Sequence, residues 1–238
     1  GGTGGALALM ADLGKPFARQ TGNTIEVVPS LGSGGGNKAV ADGVLDIAVT
    51  GRDLTPAERE RGVAQVMTIR TPFVFATSRF GPTSMTDAEI VAVFANADPA
   101  WPDGTPIKLI MRPLAEDDNT VITSLFPAME AAFARARQRS ELPIATTDQD
   151  NANLAEKLRG SFIGATYTQL LMENRDLRLI SINGVAPGVE ALESGRYRYA
   201  KTFRLNYNRT RKKAATEQFL RFLAGDDGAR ALRADGCL

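Results

Sequence analysis

The chain has 238 residues, 43% of them hydrophobic and 23% charged, a composition that excludes a disordered tail and allows one large domain or two small lobes. Its 28 basic and 27 acidic residues leave a formal charge of +1, which excludes a global field able to hold nucleic acid, so any anion has to be bound locally. Histidine is absent altogether, which removes the usual general base at neutral pH and the commonest transition-metal ligand. In chain order, Ala6 to Gln20 carries helical spacing at Leu7, Met10, Leu13 and Phe17, and Thr24 to Pro29 reads as a strand through Ile25, Val27 and Val28. Asn37 to Asp42 is expected as a short helix, Asp46 to Thr50 as a buried strand, Pro56 to Arg61 as a helix start and Thr71 to Ser78 as an apolar strand. Alternation of this kind predicts a largely parallel sheet with crossover helices.

Gly81-Pro82-Thr83 marks a turn, after which Thr86 and Glu89 have the spacing of a capping box that opens a helix and a new unit. Ile107 to Met111 is then expected as a strand, Thr120 to Arg139 as one long amphipathic helix and Asn151 to Arg159 as another helix. Ser161 to Tyr167, Leu177 to Ile182 and Tyr197 to Asn208 read as strands, and Ala214 to Leu223 and Gly228 to Ala234 as the closing helices. No apolar run reaches the roughly 18 residues of a membrane span, so the chain is expected to be soluble.

Two glycine clusters each stand where a helix begins: Gly1-Gly2-Thr3-Gly4-Gly5, and Gly32-Ser33-Gly34-Gly35-Gly36 ahead of Asn37-Lys38. Helix N-termini carry unpaired N–H groups and a partial positive charge, so a glycine turn that admits close approach makes an anion cradle. Thr3 and Ser33 add hydroxyl donors. The enzymatic readings of these glycines fit poorly. Gly32 to Lys38 lacks the Gly-Lys-Ser/Thr ending of a triphosphate loop, and Gly32, Gly34 and Gly35 fail the dinucleotide spacing. Ser33 is outside a G-x-S-x-G elbow, and without histidine the usual hydrolase relay cannot form. The lone Cys237, one residue from the end, allows no internal disulfide, CxxC zinc site or Cys-His nucleophile, and reads as an incidental thiol.

The order of motifs resembles the phosphate-binding protein family of bacterial ABC importers. Gly2-Thr3-Gly4-Gly5 is similar to that family's first glycine turn and Leu31-Gly32-Ser33-Gly34-Gly35-Gly36 to its second. Asp42 to Ala48 followed by Arg52 to Glu58 is similar to its "G-x-x-D-I-G … S-R-x-L-x-x-E" stretch, and Ile182 to Pro187, Ser194 to Tyr197 and Phe219 to Leu223 resemble its later landmarks in the same order. The resemblance implies an α/β chain of the type II periplasmic-binding fold. Two α/β lobes with a ligand cleft between them are expected, lobe one at about residues 1–78 plus 196–238 and lobe two at 79–195. It implies ligand contacts at Thr3, Gly4 and Gly5, at Ser33 and Gly34, at Thr50, Gly51 and Arg52, and at Arg112, whose planar guanidinium fork matches a tetrahedral oxyanion. The implied role is capture of phosphate or a similar oxyanion, with no cofactor and no chemistry, by a monomer that hands its solute to ABC transporter membrane subunits or to a sensor. The implied location is periplasmic, although no signal peptide is visible; the chain opens on its glycines as it would after removal of one.

Two departures from the family pattern matter. Gly51 stands where the family carries a Ser or Asp side-chain contact, so that hydrogen bond is left to Thr50. The family's Arg-x-x-Gly-Ser-Gly-Thr becomes Arg112 to Thr120, a longer loop with Glu116, Asp117 and Asp118 in it. The alignment adopted places Asn119 and Thr120 at the helix N-terminus as ligand contacts, with the acidic run before them partly facing water; a plain capping role for Asp118 and Asn119 stays open beside it. These departures keep two alternatives in view: a receptor retuned for another small solute, and an enzyme using the three carboxylates as a magnesium or calcium site.

Overall fold

A computed structural model describes all residues except Pro82 and Lys212. After a 3-10 turn at Gly4–Ala6, the elements of the first part are α1 (Leu7–Thr21), α2 (Gly32–Asp42), β1 (Ala48–Thr50), α3 (Pro56–Glu60) and the long β2 (Val63–Thr77). The middle of the chain holds β3 (Ser84–Met85), α4 (Asp87–Ala95), β4 (Lys108–Leu109), α5 (Asp117–Leu125), α6 (Met129–Ala136), α7 (Asp148–Lys157), β5 (Ser161–Thr166), α8 (Tyr167–Met172), β6 (Arg178–Leu179), β7 (Ser181–Ile182) and α9 (Val189–Glu193). The chain closes with β8 (Ala200–Asn208), α10 (Ala214–Ala224) and α11 (Asp226–Ala234).

Two strands organise the molecule. β2 pairs with β8 from Val63↔Asn208 to Pro72↔Ala200; beyond that, Phe73 to Ala76 pair with β5, and Ala76 and Thr77 with β6. The core changes hands at the same point on the strand. Ile69 belongs to a cluster with Leu9, Leu13, Phe17, Val49, Phe203, Leu205 and Phe219. Phe73 and Phe75 belong to one with Phe94, Trp101, Phe126, Phe162, Tyr197 and Tyr199. Rings dominate this second core: Phe75 stacks on Phe162 at 5.0 Å between centroids, and Phe126 on Tyr199 at 5.1 Å, contacts that add to the burial of large apolar faces. The fold is therefore two α/β lobes threaded by β2 in one direction and by Tyr197 to β8 in the other. The buried Tyr197 ties the two crossings together by donating its hydroxyl to the Phe73 carbonyl at 2.8 Å.

The expectation of a largely parallel sheet is corrected. β1 with β8, β8 with β2, β2 with β5 and β2 with β6 are antiparallel, and among the described residues only β4 with β5 and β3 with β7 are parallel ladders. A chain that enters the second lobe along one strand and returns along its neighbour has to pair those strands antiparallel, and local alternation carries no trace of that. The expected strand at Thr24 to Pro29 lies extended without a ladder, its Ile25 and Val27 packed on the first core. The expected long helix over Thr120 to Arg139 is two helices, α5 and α6, because Pro127 supplies no amide donor and forces Phe126 into an extended conformation, φ −128° and ψ 99°. The capping box at Thr86 and Glu89 is present, with the Thr86 amide donating to Glu89 at 2.7 Å. No helix among the described residues is long and apolar enough to cross a membrane.

Candidate functional site

The glycine turn at the start of the chain enters between two neighbours. The Thr3 amide donates to the Val49 carbonyl at 2.9 Å and the Gly2 carbonyl accepts from Leu31 at 3.1 Å, so the turn into α1 and the first turn of α2 lie side by side. Gly36 allows this approach: a Cβ there would stand 2.8 Å from the Gly2 Cα. Across from them, lobe two presents the N-termini of α5 and α7. The Gly5 amide donates to Asp148 Oδ2 at 2.9 Å, and Gln149 Nε2 donates to the Gly4 carbonyl at 3.0 Å. The Ser33 hydroxyl donates to Asp117 Oδ2 and accepts from the Gly51 amide at 2.9 Å. Gly4, Gly5, Ser33 and Gly51 of lobe one thus meet Asp117, Asp148 and Gln149 of lobe two, with Thr3 in the same glycine turn and Arg112 beside Asp148.

Arg112 is 6% exposed. Its Nη1 donates to the Ala145 carbonyl at 3.0 Å and its Nη2 to Glu116 at 2.9 Å, with Asp148 Oδ1 at 3.6 Å. Its buried Nε has no hydrogen-bond partner among the described residues, which leaves the guanidinium one donor unspent. Lys201, from β8, is buried against Asp118 in an ion pair whose side chains are 2% and 4% exposed. Burial works to lower the Lys201 ammonium pKa, but the charges of Asp118 and Asp148 outweigh it and the net shift is upward. Asp148 is pushed up from the ordinary carboxylate range by burial and then by the charge of Asp118, and burial likewise raises Glu116.

Other expected contacts take different places. Arg52 makes a bidentate pair with Glu58, 2.7 and 3.0 Å, and donates to the Asp53 carbonyl at 2.8 Å, while the charge of Asp117 also acts on it. Glu58 is also the responding residue of the α3 capping box, so this arginine is tied to a helix mouth. Thr50 is fully buried and spends its hydroxyl on the Arg52 carbonyl and on Asn206; it supports the loop that aims the Gly51 amide. Gly34 follows Ser33 in the first turn of α2, its nearest neighbour outside that helix being Arg52.

The placement of Asn119 and Thr120 at the mouth of α5 is corrected. The helix opens at Asp117 with Glu116 as its cap, so those two residues fall in its first turn beyond the mouth. Asn119 ties down the preceding loop by donating to the Pro113 carbonyl at 2.7 Å, and Thr120 is exposed. The acidic run occupies the position given to them, because carboxylates at N-terminal helix positions are favoured by the helix dipole and by the free amides. The sequence reading missed Asp148 and Lys201. Lys201 has a legible signal, since it shares a strand face with Phe203 and Leu205, which point into the core; Asp148 has only its neighbour Thr147, the cap of α7. Among the described residues, no group of three or more acidic or cysteine side chains is arranged to hold a metal ion. Cys237 is buried, its thiol pushed up to about 12 by burial.

The sequence profile of the PBP superfamily domain matches residues 1–227. The fold is similar to that of a phosphate ABC transporter substrate-binding protein from Clostridium perfringens solved with bound phosphate, with a TM-score of 0.83, 15% identity and coverage of 100% of this chain and 96% of that one. It is also similar to a phosphate-binding protein from Stenotrophomonas maltophilia, TM-score 0.70, 13% identity, covering 100% and 90%. A third likeness is to an ABC-type phosphate transport receptor from Vibrio cholerae, TM-score 0.65, 14% identity, covering 100% and 97%. At these identities the likeness is one of fold. No curated protein matches the sequence.

Proposed function

For a chain that belongs to the PBP superfamily, we propose the role of an extracytoplasmic solute receptor that captures a tetrahedral oxyanion of the phosphate class and delivers it to the membrane subunits of an ABC importer. The observation that carries this reading is the convergence of donors from both lobes. The Gly5 and Gly51 amides and the Ser33 hydroxyl come from lobe one, and the Arg112 guanidinium of lobe two lies 3.6 Å from Asp148, the carboxylate that the Gly5 amide meets. Such donors bind without making or breaking bonds, and closure about a hinge would surround the solute with them. The crossings at Pro72–Phe73 and Tyr199–Phe203 are the proposed hinge, which assigns Phe73 and the residues after it to lobe two. The protein acts as a monomer in the periplasm, and the solved structures of phosphate receptors with the same fold support the anion and its destination.

The charge balance sets a condition on that solute. Arg112 and Lys201 face Glu116, Asp117, Asp118 and Asp148. A fully ionised oxyanion would be repelled, at about 4 kcal/mol for a pair of unit charges 4 Å apart at an effective dielectric near 20. A protonated oxyanion donates to a carboxylate instead. Calorimetric titration with phosphate, arsenate, sulfate and molybdate tests the reading; saturable heat with phosphate or arsenate and none with sulfate is expected, and silence with all four rejects it. The same carboxylate excess favours a second reading, a cleft retuned for a different small solute, which an organic ligand retained through purification and seen by native mass spectrometry would establish.

A further inference from the structure

Two of the lobe-one donors at the cleft, the Gly5 amide and the Ser33 hydroxyl, already have an anionic partner. Asp148 Oδ2 takes the Gly5 amide at 2.9 Å, and Asp117 Oδ2 takes the Ser33 hydroxyl, which in turn accepts from the Gly51 amide. Both carboxylates belong to lobe two, on helices whose Ile122 and Ala152 pack in that lobe's core, so both contacts cross the cleft. A carboxylate presents two acceptor oxygens on one carbon, much as one edge of a tetrahedral oxyanion does, and binds amides and hydroxyls in the same way. Residue 51 is shaped to this arrangement. A Cβ on Gly51 would stand 2.9 Å from Asp117 Oδ2 and 3.0 Å from Lys201 Cε, so a larger residue would push the carboxylate out.

We propose that Asp117 and Asp148 are resident counter-ligands: lobe-two carboxylates that occupy the oxyanion donors of lobe one, close the cleft without solute, and compete with any solute that enters. The competition rests on the oxyanion-receptor reading above, whereas closure without solute does not. Displacement leaves Asp148 close to a cation, because Arg112 Nη2 already lies 3.6 Å from its other oxygen. A solute has to overcome the closed, self-occupied state, and its apparent affinity falls by the fraction of molecules held in that state. Asp117 and Asp148 thereby become the residues that set how strongly this cleft takes an oxyanion.

Small-angle scattering of the purified, solute-free protein and of the Asp117→Ala/Asp148→Ala double variant, which removes both acceptors, tests closure. The wild type is expected to give the radius of the closed structure with or without phosphate, and the variant a larger one. A wild type as expanded as the variant, or a variant that stays closed, overturns the proposal. Hydrogen exchange on the wild type reads the Asp148 contact without mutation: slow exchange of the Gly5 amide supports the latch, and exchange at the rate of open loops contradicts it. Calorimetry then reads the competition, with phosphate expected to bind the double variant at least tenfold tighter than the wild type. Equal or weaker binding by the variant overturns competition. If neither protein binds any oxyanion, the receptor reading fails while scattering and exchange still decide the latch.

Discussion

Lys201 and Asp118 form the most deeply buried ion pair of the site, and its energetics are those of a pair whose removal is costly from one side only. Replacing Lys201 with Met strands a buried carboxylate beside Asp148, and is expected to cost about 3–5 kcal/mol of stability. Urea denaturation measures this, and a variant as stable as the wild type would contradict the assignment. Arg112 is a different case, because its guanidinium fork is shared between the Ala145 carbonyl and Glu116 and lies 3.6 Å from Asp148. Arg112→Ala is expected to weaken phosphate binding by tenfold or more, in keeping with about 1.5–3 kcal/mol for a hydrogen bond to a charged group; an unchanged dissociation constant removes it from the site. Arg112, Ser33 and the glycines are legible as residues because chemistry and motif order coincide on them. Asp148 is not, since nothing local announces that a helix-opening aspartate will meet an amide 143 positions earlier in the chain.

At the scale of elements, the capping signals are read correctly where both partners are neighbours in sequence, as at Thr86 and Glu89. At α3 the box has a further partner, since Glu58 answers Thr55 and also binds Arg52. Burial works to raise the Glu58 pKa, but the Arg52 and Thr55 hydrogen bonds outweigh it and hold the pKa at about 2, below the ordinary 4.5. A carboxylate with a depressed folded pKa contributes stability that is present above its unfolded value and lost as pH falls toward the folded one. Glu58→Gln is therefore expected to destabilise the protein near neutral pH and to flatten its loss of stability between about pH 4.5 and 2; thermal melts across that range check it, and parallel wild-type and variant curves would refute it. The elements that local pattern misplaces have physical reasons. Pro127 divides one amphipathic stripe into α5 and α6. The mouth of α5 falls at Asp117 instead of Asn119 because an acidic first turn suits a helix dipole as well as a Ser-Gly-Thr turn does.

At the scale of the whole molecule, the division into two α/β lobes follows from the collinear order of motifs and from the helix that opens at Thr86, while the antiparallel pairing of β2 with β8 belongs to the way the lobes are joined and is invisible to local pattern. That pairing has a functional consequence. Two adjacent strands carry the chain between separate cores, so the hinge proposed at Pro72–Phe73 and Tyr199–Phe203 would bend the chain where it passes from one core to the other. The lobes then act as jaws whose inner faces are the amides of Gly5 and Gly51 and the Ser33 hydroxyl on one side, and the α5 and α7 mouths with Arg112 on the other. The most direct measurement is a crystal structure of the protein grown with millimolar phosphate. The account predicts tetrahedral density between Ser33, the Gly5 and Gly51 amides and Arg112, with Asp117 and Asp148 moved off those donors. A structure in which phosphate is absent from the cleft and both carboxylates keep their places would contradict it.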